Sequence, residues 1–156
     1  MNDNGEPTFE INDTGNFIRV TAIRLMYPDA EMSWDRNWIE SHIEISAAPF
    51  HGKYRASLMT VDFEKFKREL RRVYKDLSGV TAFNCLEDDI EIKIKGDGLG
   101  HFAATCTGKD TTNIHGSKLS FHLDFDQTQI PELINQLDEI TKAFPIFGDD
   151  IKMKNE

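Results

Sequence analysis

Two stretches of this chain repeat their apolar residues at helical spacing, and almost every other regular stretch alternates residue by residue. Phe63, Phe66, Leu70, Val73 and Leu77 fall at i, i+3, i+7, i+10 and i+14, one face of a 3.6-residue period. Ile130, Leu133, Ile134, Leu137, Ile140 and Phe144 form a second such stripe, with Pro131 tolerable only in its first turn and Pro145 ending it. Elsewhere the period is two. Ile39, Ile43 and Ile45 oppose Glu40, His42 and Glu44; Ile90, Ile92 and Ile94 oppose Glu91, Lys93 and Lys95. Phe102, Ala104 and Cys106 share one face, as do Leu119, Phe121, Leu123 and Phe125. Each half of the chain therefore reads as strands that lead into a helix.

Shorter runs complete the order. Residues 9–11 read as an edge strand closed by the turn chemistry of Asn12-Asp13-Thr14-Gly15. Residues 17–27 read as a strand whose alternation shifts face near Ala22-Ile23, as a bulge would produce. Tyr54, Ala56 and Leu58 alternate with Arg55, Ser57 and Met59. The gaps between strands have hairpin length, which favours antiparallel pairing, since parallel pairing requires longer crossovers. The predicted fold is α+β: about eight mostly antiparallel strands in one or two curved sheets, packed by two amphipathic helices, in the order ββββ-α-ββββ-α. No linker separates domains, so residues 1–156 read as a single domain with its ordered core at about 7–148 and a polar C-terminal tail at 149–156.

Composition supports a packed core. Of 156 residues, 39% are hydrophobic and eleven are Phe, enough bulk for a domain of this length to stand without staples. Cys85 and Cys106 sit on separate predicted strands and read as small buried apolar side chains in a reducing compartment. The first residues lack the basic start and apolar stretch of a signal peptide. No apolar run approaches the roughly 20 residues of a membrane span. The expected setting is cytoplasmic, with no membrane partner.

The formal charge is −9, and it is unevenly spread. Residues 61–77 carry four acids against six bases, whereas residues 119–156 carry eight acids against three. Lys65, Lys67, Arg68, Arg71, Arg72 and Lys75 fall on the solvent side of the first predicted helix, a patch too small to grip a phosphate backbone within an acidic field. Direct nucleic-acid binding is disfavoured. A basic protein partner suits this charge.

The chain carries no recognisable constellation for catalysis. His42, His51, His101, His115 and His122 show no helical i, i+4 pair, and neither cysteine belongs to a CxxC motif, so no metal site is predicted. The Gly96-Asp97-Gly98-Leu99-Gly100 run lies between strands, not before a helix whose N–H groups could cradle phosphate. It reads as a glycine hairpin with positive φ angles. No serine occupies a nucleophile elbow, and the Glu87-Asp88-Asp89 and Asp124/Asp126 groups read as a turn and a strand end. No catalytic residue and no cofactor are expected. The residues least explained by folding are Trp34 and Trp38 with their acidic neighbours Asp29, Glu31 and Asp35; of these, Asp29, Glu31, Trp34 and Asp35, in the polar loop after Tyr27, are the candidate partner-binding residues. Tryptophan set among carboxylates suits recognition of a basic protein surface, because aromatic anchors dominate interface energetics.

An ordered set of residues runs along the chain: Trp38-Ile39, Pro49-Phe50 with Gly52, Asp62-Phe63 with Phe66 and Leu70, Leu77 and Gly79, Glu87, and Gly100-His101. It continues with Leu119-x-Phe121, Asp126-Gln127-Thr128, Leu133, Gln136-Leu137 and Phe144-Pro145. In this set, over residues 36–147, the chain resembles the WapI family of bacterial immunity proteins. The resemblance implies a small non-enzymatic protein, encoded beside a secreted polymorphic toxin, that binds the toxin domain and neutralises it. It implies a protein partner, and the acidic charge suits a basic toxin. The matched positions are mostly structural, so no binding residue is carried over. The alternative reading is a regulatory or structural interaction domain, and after it a small-ligand carrier with a deep apolar pocket.

Overall fold

The computed structural model describes residues 1–112 and 114–148, and the polar tail expected at 149–156 lies outside the described residues. Strands β1 (Thr8–Asp13), β2 (Asn16–Leu25), β3 (Trp38–Ala47) and β4 (Phe50–Met59) form one antiparallel sheet in sequential order and lead into helix α1 (Thr60–Asp76). Strands β5 (Ser78–Asn84), β6 (Ile90–Asp97), β7 (His101–Lys109) and β8 (Lys118–Asp126) form a second sheet of the same kind and lead into helix α2 (Ile130–Ala143). The α+β class, the eight antiparallel strands and the ββββ-α-ββββ-α order agree with the reading of the residues; the sheets number two.

Alternation places one face of each strand inside. Phe9 and Ile11 of β1, Ile18 and Val20 of β2, and Ile39, Ile43 and Ile45 of β3 are buried, together with Ile92 and Ile94 of β6 and Phe102, Ala104 and Cys106 of β7. The shift of face in β2 is a register break between Ala22 and Arg24 against β3. Helix α1 lies on β5 and on α2, while α2 lies on β1, so the helices close the core between the sheets. Phe9, Phe63, Phe66 and Phe83 meet there, with ring centroids 5.2 to 6.2 Å apart.

Several local expectations change. Met59, expected opposite the buried face of β4, is itself buried because the chain turns there into α1, which covers it. Lys67 is not on the solvent side: its ammonium sits between the helices, 2.8 Å from Thr141 Oγ1 and 3.3 Å from both Glu64 and Asp138 carboxylates. A helix packed against both a sheet and a second helix buries more than one stripe. Cys85 lies just past β5 instead of within it, and both cysteines are free thiols. Helix α1 ends with Leu77 itself in the left-handed region at φ 55°, and Gly79 two residues on is also at positive φ, 98°. Gly98 and Gly100 take the positive φ angles of the glycine hairpin. Gly96 serves a different purpose: a Cβ there would stand 2.6 Å from the Leu77 carbonyl oxygen and 2.8 Å from the Phe102 ring. It is a point of close approach between the end of α1 and the second sheet.

The start of α1 carries a half-buried acid. The Asp62 carboxylate accepts the Met59 N–H at 2.9 Å, closing the first turn from inside. Burial pushes the Asp62 carboxyl up from 3.8 to about 6, against the lowering effects of the Met59 bond and of Lys65. A folded-state value above the unfolded one means that the folded chain holds this proton more tightly. The contribution of Asp62 is therefore most favourable below pH 3.8, declines as pH rises toward 6, and is a constant penalty above it. An amide keeps an acceptor without the charge. The stability difference between Asp62→Asn and the parent should shift in favour of the variant by about 2 kcal/mol between about pH 4 and pH 7, read from urea unfolding curves. A difference independent of pH would refute this assignment.

Candidate protein-recognition loop

Between β2 and β3 the chain leaves the sheet over residues 26–37. Strand β2 stops at Leu25, short of the expected Tyr27, although the Met26 N–H still reaches the Trp38 carbonyl at 2.9 Å. The stop has a local cause: the residue before Pro28 cannot continue a ladder whose next N–H is missing. The loop is then folded by its own backbone. Ala30 N–H donates to the Tyr27 carbonyl, Asp35 N–H to Met32, and Asn37 N–H to Trp34, at 3.1 to 3.2 Å. The Arg36 guanidinium donates to the Ala30 carbonyl at 2.7 Å.

Its base is tied to the far end of the chain. Asn37 is fully buried, donates to the Ser33 and Phe147 carbonyls at 3.1 Å, and accepts the Phe147 N–H at 2.8 Å. Buried polar groups satisfied in this way rigidify what they hold. Upon this frame Tyr27, Met32 and Trp34 are 51%, 66% and 40% exposed, far more than side chains of their size usually are. Asp29 and Glu31 are exposed beside them, and Asp35 is half-buried.

Of the four predicted partner-binding residues, Asp29 and Asp35 line one shallow pocket of about 570 Å³ with Tyr27, Pro28 and Ala30. Glu31 and Trp34 belong to the same loop but do not line that pocket. A second pocket of about 360 Å³ is also lined by Tyr27, together with Met26, Trp38, Ser57 and Glu87. Tyr27 and Glu87 are among the residues that sequence reasoning does not place at this site. Tyr27 reads as the last residue of a strand, and only the following Pro28 hints otherwise. Glu87, in the turn after β5, comes within reach through the packing of the two sheets, which no local pattern encodes.

Elsewhere several surface charges are matched within the chain. Glu10, Arg19, Glu44 and Lys53 stand in one row across β1 to β4, and the Arg19 guanidinium bonds both Glu44 at 2.9 Å and Glu10 at 3.0 Å. Its carbon lies 4.4 Å from the centre of the Phe17 ring. Glu40 is ion-paired with Arg24 and Arg55. The groove of about 470 Å³ above this row is lined almost entirely by polar groups. On the second sheet, Asp124 faces His101 Nε2 at 3.5 Å, and His122 Nδ1 lies 3.4 Å from Thr105 Oγ1. Among the described residues, no group of three or more His, Cys, Asp and Glu side chains converges as metal ligands would, and no helix is long and apolar enough to cross a membrane.

Comparison with known proteins bears on these surfaces only through the family. The solved structures of Trypanosoma brucei MRP1/MRP2 and of a guide-RNA-binding protein complex bound to a gRNA are each 12% identical, with TM-scores of 0.49. Both alignments cover 88% of this chain, and 85% and 91% of the respective other chains. The plant transcriptional regulator PBF-2 is 11% identical at a TM-score of 0.42, over 93% of this chain and 91% of that one. Likenesses at this level carry no weight for function. A comparison with curated protein sequences finds no match. The model of the immunity protein WapI-like family, by contrast, matches residues 8–145, taking in β1 and β2 as well as the stretch from residue 36 that carries the resemblance. This chain belongs to the immunity protein WapI-like family.

Proposed function

We propose that this chain is a non-enzymatic immunity protein of the cytoplasm that binds and neutralises a cognate, basic toxin domain, and that Asp29, Glu31, Trp34 and Asp35 contribute to the contact. Family membership over nearly the whole described chain carries the first part of this reading. The loop supports the second: it combines exposed aromatic area with carboxylates on a frame held by Asn37, so little ordering entropy is lost on binding. Charge supports the sign of the partner. A chain of net charge −9 attracts a basic domain over a Debye length of about 10 Å at 0.1 M salt, which raises the rate of encounter more than the final affinity.

The test uses the toxin domain encoded beside this protein. Co-expression should restore growth of cells that produce the toxin. In stopped-flow binding at low salt, reversing Glu31 and Asp35 together to lysine should slow association by about tenfold, and high salt should shrink that difference. Failure to restore growth, with folded protein present, contradicts the immunity reading. An unchanged association rate at low salt moves the interface away from this loop.

A further inference from the structure

We infer that Tyr27 is a wall shared by two pockets, each of which takes one arginine side chain of the protein partner; this rests on the loop being the interface with a basic protein. Tyr27 lines both pockets. Asp29 and Asp35 line one of them with it, and Trp38 and Glu87 line the other. Each therefore offers a cation the same pair of attractions, an aromatic surface and a carboxylate. A guanidinium satisfies both at once, because its plane stacks on a ring while its N–H groups bond a carboxylate in the same plane.

The carboxylates of these pockets differ from those beside the arginines of the first sheet. Glu10, Glu40 and Glu44 already hold arginines of this chain. Asp29, Asp35 and Glu87 pair with no lysine or arginine among the described residues. Arg36, the nearest cation in sequence, is turned toward the Ala30 carbonyl and commits its Nε–H there. Two of the wall residues stand close in sequence to buried ones. Trp38 follows the buried Asn37 directly and opens β3, and Glu87 lies two residues before the buried Asp89. Preformed walls leave binding free energy for discrimination between a cation and a neutral side chain.

The probes are acetyl-arginine amide and its neutral counterpart, acetyl-citrulline amide, titrated into the ¹⁵N-labelled protein at low salt. The arginine compound should move the Trp38 indole N–H and the amides of Tyr27 and Asp35 saturably, in the millimolar range, and the citrulline compound should not. Tyr27→Ala should weaken both sets of shifts by roughly five- to thirtyfold. Glu87→Gln should weaken only the Trp38 set, and Asp35→Asn only the Asp35 set. These side chains are exposed or half-buried, and an unchanged amide spectrum away from the loop verifies the fold of each variant. Equal shifts with citrulline, shifts spread over the other carboxylates of the surface, or no saturable shift overturn the inference. The two readings fail separately: arginine that does not bind, with toxin association still slowed by reversing Glu31 and Asp35, removes the pockets and leaves the interface. Arginine that binds, with toxin association indifferent to that reversal, removes the interface and leaves two arginine sites.

Discussion

Truncating Phe83 to alanine is expected to remove about 4 kcal/mol of folding stability, the largest loss we foresee for one side chain in this protein. Phe83 of β5 is fully buried, and its ring lies 5.3 Å from Phe9, 5.2 Å from Phe63 and 5.4 Å from Phe66. Those partners come from the first sheet and from α1, so the ring fills the junction of three elements that local structure alone does not join. Two effects add. The transfer free energy of a phenyl group is lost, and a cavity remains because rings held from three directions cannot all move inward. The pair with Phe9, inclined at 79°, also loses its edge-to-face geometry. Phe50→Ala is the control: that ring is 61% exposed at the start of β4, and its removal should change stability by less than about 0.5 kcal/mol. Urea unfolding with an unchanged slope would measure both. A loss below about 1.5 kcal/mol for Phe83→Ala would show that the junction repacks.

Replacement of Asp89 by alanine should cost about 3 kcal/mol, by a different mechanism. This carboxylate is 3% exposed, immediately before β6. One of its oxygens accepts the Ser57 N–H of the edge strand β4 at 3.0 Å, and the other accepts the Thr111 hydroxyl. Its carbonyl accepts the Tyr54 hydroxyl at 2.7 Å and the Lys109 N–H at 3.0 Å. The residue thus fastens the edge of the first sheet to the second. Burial pushes the Tyr54 phenol well above its ordinary value, so it remains a donor throughout the usual pH range. Alanine leaves the Ser57 N–H without its charged acceptor, and an orphaned donor costs its full desolvation penalty. An asparagine side chain keeps one acceptor, so Asp89→Asn should lose roughly half as much. An alanine variant within about 1 kcal/mol of the parent would mean that water replaces the carboxylate at little cost.

These two residues mark how far local pattern reaches. Phe83 is readable as core from the apolar character of its strand, though not as the neighbour of Phe9. Asp89 reads as one acid of a polar turn, because a carboxylate that closes a hydrogen-bonded joint has the same local pattern as one that faces water. Lys67 misleads for a similar reason. Its position on the helix follows from the period, but its burial follows from α2, which contributes Asp138 and Thr141 from the other end of the chain. The recognition loop divides in the same way. Asp29, Glu31, Trp34 and Asp35 stand out as acids and an aromatic in a stretch with no packing pattern. The pockets that share Tyr27 do not, because one of them takes Glu87 from the second half.

The class of fold, the order of strands and helices, and the inward side of almost every strand are legible in the residues alone. Those properties follow from side-chain direction, which repeats every two residues in a strand and every 3.6 in a helix and is therefore written in neighbouring letters. The family is legible too, through spaced residues along most of the chain. The division of the strands into two sheets of four, the lock of Asn37 on Phe147, and the pocket shared by Trp38 and Glu87 emerge only when the chain is folded. Such pairings join residues far apart in the chain. They are set by the shapes that fit when the two sheets and two helices close on one another, and no periodicity records them.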